Sequence, residues 1–385
     1  MLFLCYITIL CERIADLCNK IPKEIPMTAP TDFIRPEIKN MTAYHVTDVP
    51  ENFIKLDAME SPYHPFARSP ALLEEWARLL AQSPVNRYPN PASCGLQPAL
   101  RKAFGIPQAA QIALGNGSDE LIQFLTMLVA KPGATVLAAE PSFVMYRHNA
   151  LLYGMNYVGV PLREDFSLDL PAMLQAVETH NPALVFIAYP NNPTGVCFKR
   201  EEVEAIIRAA KGIVVVDEAY GAFSSDSFLP QVGGFENLVV MRTVSKIGFA
   251  GIRIGYASAG ELIIKELVKI LPPYNMNQLS LATAAFALEN FEVIDDTILK
   301  LKEERTRMFE ELSYFSRLKT FPSEANFITV RVPDALELFQ TMKDNKILIK
   351  NLHGQHPLLN QCVRITIGSP EQNDAVLSVI RRLYV

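Results

Sequence analysis

The feature that most restricts the fold is a series of unbroken apolar runs of strand length, set between helical stretches. They are Thr135-Val-Leu-Ala-Ala139, Ala183-Leu-Val-Phe-Ile-Ala188, Ile213-Val-Val-Val-Asp217, Asn237-Leu-Val-Val-Met241 and Ile254-Gly-Tyr-Ala-Ser258. None alternates as a strand with one wet face does. Strands without alternation are covered on both sides, so the runs predict a mostly parallel sheet sandwiched by helices. The intervening segments agree: Ser118 reads as the cap of a helix over 119–130, with Leu121, Leu125 and Leu128 on one face. Asp169 opens another helix, and 201–210 forms a third.

The last third has a different pattern. Residues 291–315 read as one long, charged amphipathic helix. Ala325-Asn-Phe-Ile-Thr-Val-Arg331 and Cys362-Val-Arg-Ile-Thr-Ile367 alternate and predict half-exposed strands, with helices near 334–345 and 370–383. The expected organisation is a large α/β domain over 85–290, a smaller α+β domain from 31–84 with 291–385, and an N-terminal extension over 1–30. The first ten residues are apolar, but the run stops at Cys11-Glu-Arg. That is far short of the roughly 20 residues a membrane-spanning helix needs, and it lacks the basic start and clean cleavage site of a signal peptide. The extension is expected to have no catalytic role, with Met27 as a candidate start.

Charge and cysteine usage narrow the function classes. A net charge of −5 with scattered Lys and Arg gives no footprint for nucleic acid, which directs the reading to small-molecule chemistry. The six cysteines contain no CxxC pair and read as reduced thiols of a cytoplasmic protein. His353 and His356 are spaced three apart, but Gly354 and Pro357 make that segment a turn, so no metal is expected.

Three features stand at the ends of predicted strands, where open α/β sheets bind ligands. They are Tyr189-Pro-Asn-Asn-Pro-Thr-Gly195, Asp217-Glu-Ala-Tyr220, and Lys246 within Thr243-Val-Ser-Lys-Ile-Gly-Phe-Ala-Gly-Ile-Arg253. A lysine that condenses with a carbonyl needs a setting that lowers its pKa. Asp217 can pair with a protonated heterocyclic nitrogen, keeping such a ring an electron sink. Asn192 and Tyr220 offer donors to a phenolate oxygen. Ser118 follows Gly115-Asn-Gly117 at a helix start, where free N–H groups face an anion. Thr243, Ser245 and Arg253 add two hydroxyls and a guanidinium suited to a phosphate.

Together with Leu56-Asp-Ala-Met-Glu-Ser-Pro62, Arg87-Tyr-Pro-Asn-Pro91, Leu114-Gly-Asn-Gly-Ser-Asp-Glu-Leu-Ile122, Glu324-Ala-Asn-Phe327 and Val363-Arg-Ile-Thr-Ile-Gly368, these motifs carry a resemblance. From about Phe33 onward the chain resembles the fold-type I pyridoxal-phosphate-dependent aminotransferases, and within them the histidinol-phosphate aminotransferases. The resemblance implies pyridoxal 5'-phosphate as cofactor, Lys246 as Schiff-base lysine and proton shuttle, and Asp217 at the pyridine nitrogen. It implies Asn192 and Tyr220 at the ring oxygen, and Ser118, Asp119, Thr243, Ser245 and Arg253 at the phosphate. Phe143 takes the place of the aromatic stacked on the ring. Tyr88 is implied to reach the cofactor phosphate of a neighbouring subunit, which makes the protein a homodimer. Asn326 and Arg364 would face the substrate.

The implied reaction is amino transfer between L-histidinol phosphate and 2-oxoglutarate in histidine biosynthesis. Other readings stay open at this point: another aminotransferase, a threonine-phosphate-type decarboxylase, or a pyridoxal-phosphate-fold sensor without turnover. Lys350 stands where many members have arginine, which keeps the charge and loses the bidentate fork. Asp57 and Met59 replace the commoner asparagines of the N-terminal motif.

Overall fold

The computed structural model describes residues 29–43, 47–67, 69–90 and 95–384. The chain divides into two compact units, 1–46 and 47–385. The described part of the first holds a 3-10 turn, Pro30–Phe33, and one helical turn, Pro36–Lys39, neither with a buried residue. The expectations for residues 1–26 and for Met27 as a start lie outside the described residues.

The second unit begins with a two-residue strand, β1 (Ile54–Lys55), whose partner comes near the C-terminus. Next come β2 (Gln111–Asn116), β3 (Thr135–Glu140), β4 (Asn156–Pro161), β5 (Leu184–Ala188), β6 (Ile213–Asp217), β7 (Leu238–Thr243) and β8 (Ile254–Ala259). They form one sheet in the order β2-β8-β7-β6-β5-β3-β4. Only β8 runs against its neighbours; the pairs from β7 to β4 are all parallel. Consecutive residues alternate between two separate apolar clusters. Val185, Ile187, Val214, Val216 and Val240 enter one, and Leu184, Phe186, Val215, Val239 and Met241 the other. Both faces are therefore dry, which is why the runs show no polar alternation.

Register then places the site. Ala188 pairs with Asp217 and Asp217 with Met241, so the C-terminal ends of β5, β6 and β7 lie side by side. The loops that follow them carry Asn192, Tyr220 and Lys246 to one edge of the sheet, as ligand-binding open sheets do.

A second sheet is built from β9 (Lys319–Thr320) and β10 (Phe327–Arg331); then, after β11 (Ile347–Leu348), from β12 (Lys350–Asn351) and β13 (Cys362–Thr366). Its order is β12-β13-β10-β9, antiparallel throughout. β11 instead pairs in parallel with β1. The expectation of half-exposed strands here is corrected: all of β13 and all of β10 except Arg331 are buried. Their polar residues face other protein groups instead of water. Thr329 Oγ1 donates to the Pro193 carbonyl, Thr366 Oγ1 accepts from Met59 N at 3.0 Å, and Arg364 donates to Asn192.

Helix Gln278–Glu289 escaped the periodicity reading because it is apolar nearly all round, with Leu281, Ala284, Ala285, Phe286, Ala287 and Leu288 all buried. Helix Pro70–Ala81 lies on it, with Trp76 Nε1 donating to Thr283 Oγ1 at 3.0 Å. The long charged helix spans Phe291–Ser313. Among the described residues, no helix is long and apolar enough to cross a membrane.

Candidate active site

One end of the site is an anion cradle. β2 runs into helix Gly117–Val129 through Asn116, and the chain turns at Gly117 with φ of 79°. Ser118 is therefore the second helical residue and not the cap. The cap position belongs to Asn116, whose N–H donates to Glu120 Oε2 at 2.7 Å. Ser118 and Asp119 still lie in the first turn, whose backbone N–H groups have no partner within the helix. A side chain at 255 would place its Cβ 2.5 Å from the Gly117 carbonyl carbon and 2.7 Å from Ser118 N. Glycine in β8 thus lets that strand press against the helix start. Arg253, just before β8, sets its Nη2 3.1 Å from Asp119 Oδ2. Thr243 Oγ1 lies 2.9 Å from Ser245 Oγ and 3.0 Å from the Ile254 carbonyl.

The other end is a buried carboxylate. Asp217, 5% exposed at the end of β6, accepts from the Tyr146 hydroxyl at 2.6 Å and from Ala219 N at 3.0 Å. Burial pushes its pKa up to about 6, against the pull of those two donors. Tyr146 is fully buried, stacked on Phe186 at 4.4 Å, and meets Phe143 edge-on at 5.8 Å. Phe143 is half-buried where helix Val144–Leu152 begins.

Lys246 follows β7, the strand next to β6 and its Asp217. Its amine donates to the Ala58 carbonyl at 3.2 Å and lies 5.8 Å from the centre of the Tyr220 ring. Burial, and then the charge of Arg364, lower its pKa to about 8. Tyr220 packs edge-on against Phe327 at 5.1 Å, in a small apolar cluster with Met59 and Ala325.

The second sheet closes the site. From β13, Arg364 donates through Nη1 to Asn192 Oδ1 at 2.5 Å and through Nη2 to the Asp57 carbonyl at 2.8 Å. Its guanidinium carbon lies 5.2 Å from the centre of the Phe327 ring. Lys350 is the register partner of Arg364 across the β12–β13 pair. Asn326 is 1% exposed, and its Nδ2 donates to the Met59 carbonyl at 3.0 Å. Its Oδ1 is buried without a hydrogen-bond donor among the described residues. Tyr88 stands apart: it is 81% exposed and stacks on Tyr274 at 4.6 Å.

Sequence reasoning gave no role to Tyr146, which holds Asp217 from 71 residues away. Nothing in the sequence marks that pairing. It also missed the Asp57 carbonyl, and the buried ion pair of Glu218 with Arg242, 2.6 Å apart immediately after Asp217.

The set fits the cofactor that the sequence resemblance implies. A flat ring bearing a phosphate needs an anion cradle at one end and a fixed anion at the other, with a reactive amine between. Asp217 has the required character: a buried carboxylate whose described donors are a phenol and an amide, not a cation.

Comparisons with known proteins agree. Residues 51–380 match the family model described as aminotransferase class I and II. The histidinol-phosphate aminotransferase of Neisseria meningitidis serogroup C is 67% identical over 358 residues, covering 93% of this chain and 98% of that one. Its counterpart from Chromobacterium violaceum is 56% identical over 352 residues, covering 91% and 98%. Among solved structures, histidinol-phosphate aminotransferase from Sinorhizobium meliloti in complex with pyridoxal-5'-phosphate superposes with a TM-score of 0.79 at 26% identity, covering 91% of this chain and 98% of that one. The fold is shared more widely. L-threonine-O-3-phosphate decarboxylase from Porphyromonas gingivalis gives a TM-score of 0.71 at 22% identity, over 86% of this chain and 99% of that one.

Proposed function

We propose, from the premise that the chain belongs to the aminotransferase class I and II family, that it transfers the amino group of L-histidinol phosphate to 2-oxoglutarate. The products are imidazole acetol phosphate and glutamate, in a step of histidine biosynthesis. The observation that carries the reading is a buried carboxylate, Asp217, on the strand next to the one that leads to Lys246, with Arg364 close enough to lower the Lys246 pKa, in a chain 67% identical to relatives of that name.

Pyridoxal 5'-phosphate supplies a conjugated ring that takes up the electron pair released at the substrate Cα. The chain's residues do the rest. The first turn of helix Gly117–Val129 (Ser118 and Asp119), with Thr243, Ser245 and Arg253, holds the phosphate. Asp217, oriented by Tyr146, holds the ring nitrogen protonated. Asn192 and Tyr220 bond the ring oxygen, and Phe143 covers a ring face. Lys246, its pKa lowered by burial and by Arg364, takes the proton from the substrate Cα and returns it at the cofactor C4′. Arg364 and Lys350 clamp the substrate anion, a phosphate monoester in one half-reaction and a carboxylate in the other, and Asn326 also faces the substrate.

The homodimer belongs to the same reading, with Tyr88 contributed to the neighbouring subunit's phosphate site. Its support is the exposure of Tyr88 and Tyr274, two large aromatics stacked at the surface. A cytoplasmic setting is supported by Cys197 and Cys362, both free thiols. The pairing of β1 with β11 supports assigning the segment around 54–55 to the smaller domain.

A half-reaction panel tests the substrate. Histidinol phosphate, phenylalanine, aspartate and threonine phosphate are offered in turn, and loss of the cofactor's aldehyde-form absorption is followed. Histidinol phosphate is expected to react fastest. Faster reaction with phenylalanine overturns the substrate, and carbon dioxide released from threonine phosphate overturns the reaction class.

A further inference from the structure

Three segments carry polar groups around the ring pocket: 191–195 with Asn192, 219–225 with Tyr220, and 323–327 with Asn326. They meet at one residue. Glu324 Oε2 accepts from Ser224 Oγ at 2.8 Å, from Ser225 N at 2.7 Å and from Ser225 Oγ at 2.8 Å. The N–H of the same residue donates to the Gly195 carbonyl at 2.9 Å. Arg305, from helix Phe291–Ser313, brackets the junction by donating to the carbonyls of Phe223 and Ala325, at 3.2 and 3.1 Å.

Three donors on a single oxygen is a demand that an anion meets best. Burial works to raise the Glu324 pKa, but the donors of Ser225 and Ser224, and then the charge of Arg305, keep it below its ordinary value. The carboxylate is thus ionised across the neutral range. None of its described contacts is with Lys246 or Arg364, so it acts on the reaction through what it holds.

We propose that Glu324 is a positioning residue for the reaction: it pins the loop bearing Tyr220 to the strand entry bearing Asn326 and, through Gly195, to the loop bearing Asn192. Its effect on turnover rests on the transamination reading above; the contact itself does not. Without the carboxylate, the segment after β6 keeps its apolar anchors, Phe223 and Phe228, but loses the tie that sets its distance from β10.

The experiment uses the cofactor-loaded protein with Glu324→Ala, Glu324→Gln and the double variant Ser224→Ala/Ser225→Ala. In Glu324→Ala, kcat falls about tenfold or more, as expected when a charge-assisted hydrogen bond that sets geometry is lost. KM for histidinol phosphate stays within about twofold, because the anion clamp is untouched. Glu324→Gln recovers part of kcat, and hydrogen exchange at the Ser225 amide quickens in the order parent, Gln, Ala. The serine variant reproduces the kcat loss, and adding it to Glu324→Ala costs less than the product of the two effects, since the Glu324 contact is common to both, although Ser224 also accepts from Asp226 N at 3.2 Å. An unchanged kcat in folded Glu324→Ala, or unchanged exchange at Ser225, overturns the proposal; so do serine and glutamate effects that simply multiply. If Glu324→Ala does not fold, the serine variant and Glu324→Gln carry the test. A parent protein that fails to turn over histidinol phosphate defeats the functional reading alone, because exchange still reports the clamp.

Discussion

The Tyr146 hydroxyl donates a 2.6 Å hydrogen bond to Asp217 Oδ2, and both groups are buried. That phenol works against desolvation and helps the carboxylate stay ionised, as the proposed contact with a ring nitrogen requires. Tyr146→Phe removes the donor without removing the ring stacked on Phe186, so the Asp217 pKa rises further. Cofactor affinity is expected to fall about ten- to a hundredfold, the range for a hydrogen bond to a charged group. Equilibrium titration of cofactor into the variant measures it, and an affinity within twofold of the parent refutes the role.

Asp217 also gives the cofactor-free protein a pH signature. Its pKa rises from 3.8 to about 6 on folding, chiefly through burial. Folded protein therefore holds a proton that the unfolded chain has released, and the stability this gives is full below pH 3.8 and lost as pH rises through 6. The rise corresponds to about 3 kcal/mol at neutral pH. Cofactor-free Asp217→Asn should gain on the parent between pH 5 and pH 8 by about 1.4 kcal/mol, the share of that total which falls in this interval; a weakened contact to Tyr146 or Ala219 lowers the variant equally at both pH values. With cofactor bound the order should reverse. Urea denaturation at the two pH values decides it; a difference independent of pH rules it out.

Arg364 is the second cause, after burial, that lowers the Lys246 pKa to about 8. The neutral amine is the form that captures the cofactor aldehyde, so capture by cofactor-free protein should accelerate with a midpoint near pH 8. In Arg364→Gln the midpoint moves to higher pH, whereas Arg364→Lys keeps it near the parent value. Stopped-flow capture rates across pH give the answer, and coincident midpoints in parent and Arg364→Gln would discard the coupling.

Lys350 and Arg364 face each other across β12 and β13. A guanidinium at 350 offers a phosphate two parallel N–H donors where the ammonium offers a point charge. Lys350→Arg should lower KM for histidinol phosphate a few-fold, worth about 0.5–1 kcal/mol, and change KM for 2-oxoglutarate less. Steady-state kinetics with each substrate varied would show a rise instead if Lys350 does not meet the phosphate.

Gly255→Ala tests the close approach of β8 to the cradle. The added methyl lies 2.5 and 2.7 Å from backbone atoms of Gly117 and Ser118, which cannot swing aside as a side chain can. A stability loss of about 1–3 kcal/mol is expected, together with weaker retention of the cofactor phosphate. Thermal melts of both forms check this, and a variant that melts like the parent in both would show that the contact yields.

The large sheet was legible because burial on both faces leaves its mark on every residue of a strand, as in Val214, Val215 and Val216. The placement of Lys246, Asp217 and Asn192 at the ends of neighbouring strands is legible because the apolar runs end just before or at them. Ser118 reads as a cap because serine is good at capping, whereas in the fold Glu120 reaches back to the Asn116 N–H and takes over that work. The strands carrying Thr329, Arg364 and Thr366 look half-wet because a polar residue bonded to other protein groups and one aimed at water look alike in a pattern of alternation. Tyr146, sitting three positions after Phe143, reads as one more apolar contact on its helix until the fold brings Asp217 to it.

The two-residue pairing of β1 with β11 has a kinetic side. It delivers the Asp57 carbonyl to Arg364, a contact between residues 307 apart along the chain. Contacts of such separation close late, after the loop entropy of almost the whole chain has been overcome. A nascent chain can build its parallel sheet and the proposed phosphate cradle while still being synthesised, yet the contact of Arg364 with Asp57 has to wait for the last strand. Cofactor capture can therefore precede catalytic competence during refolding, and the lag between the two would time the docking of the C-terminal sheet.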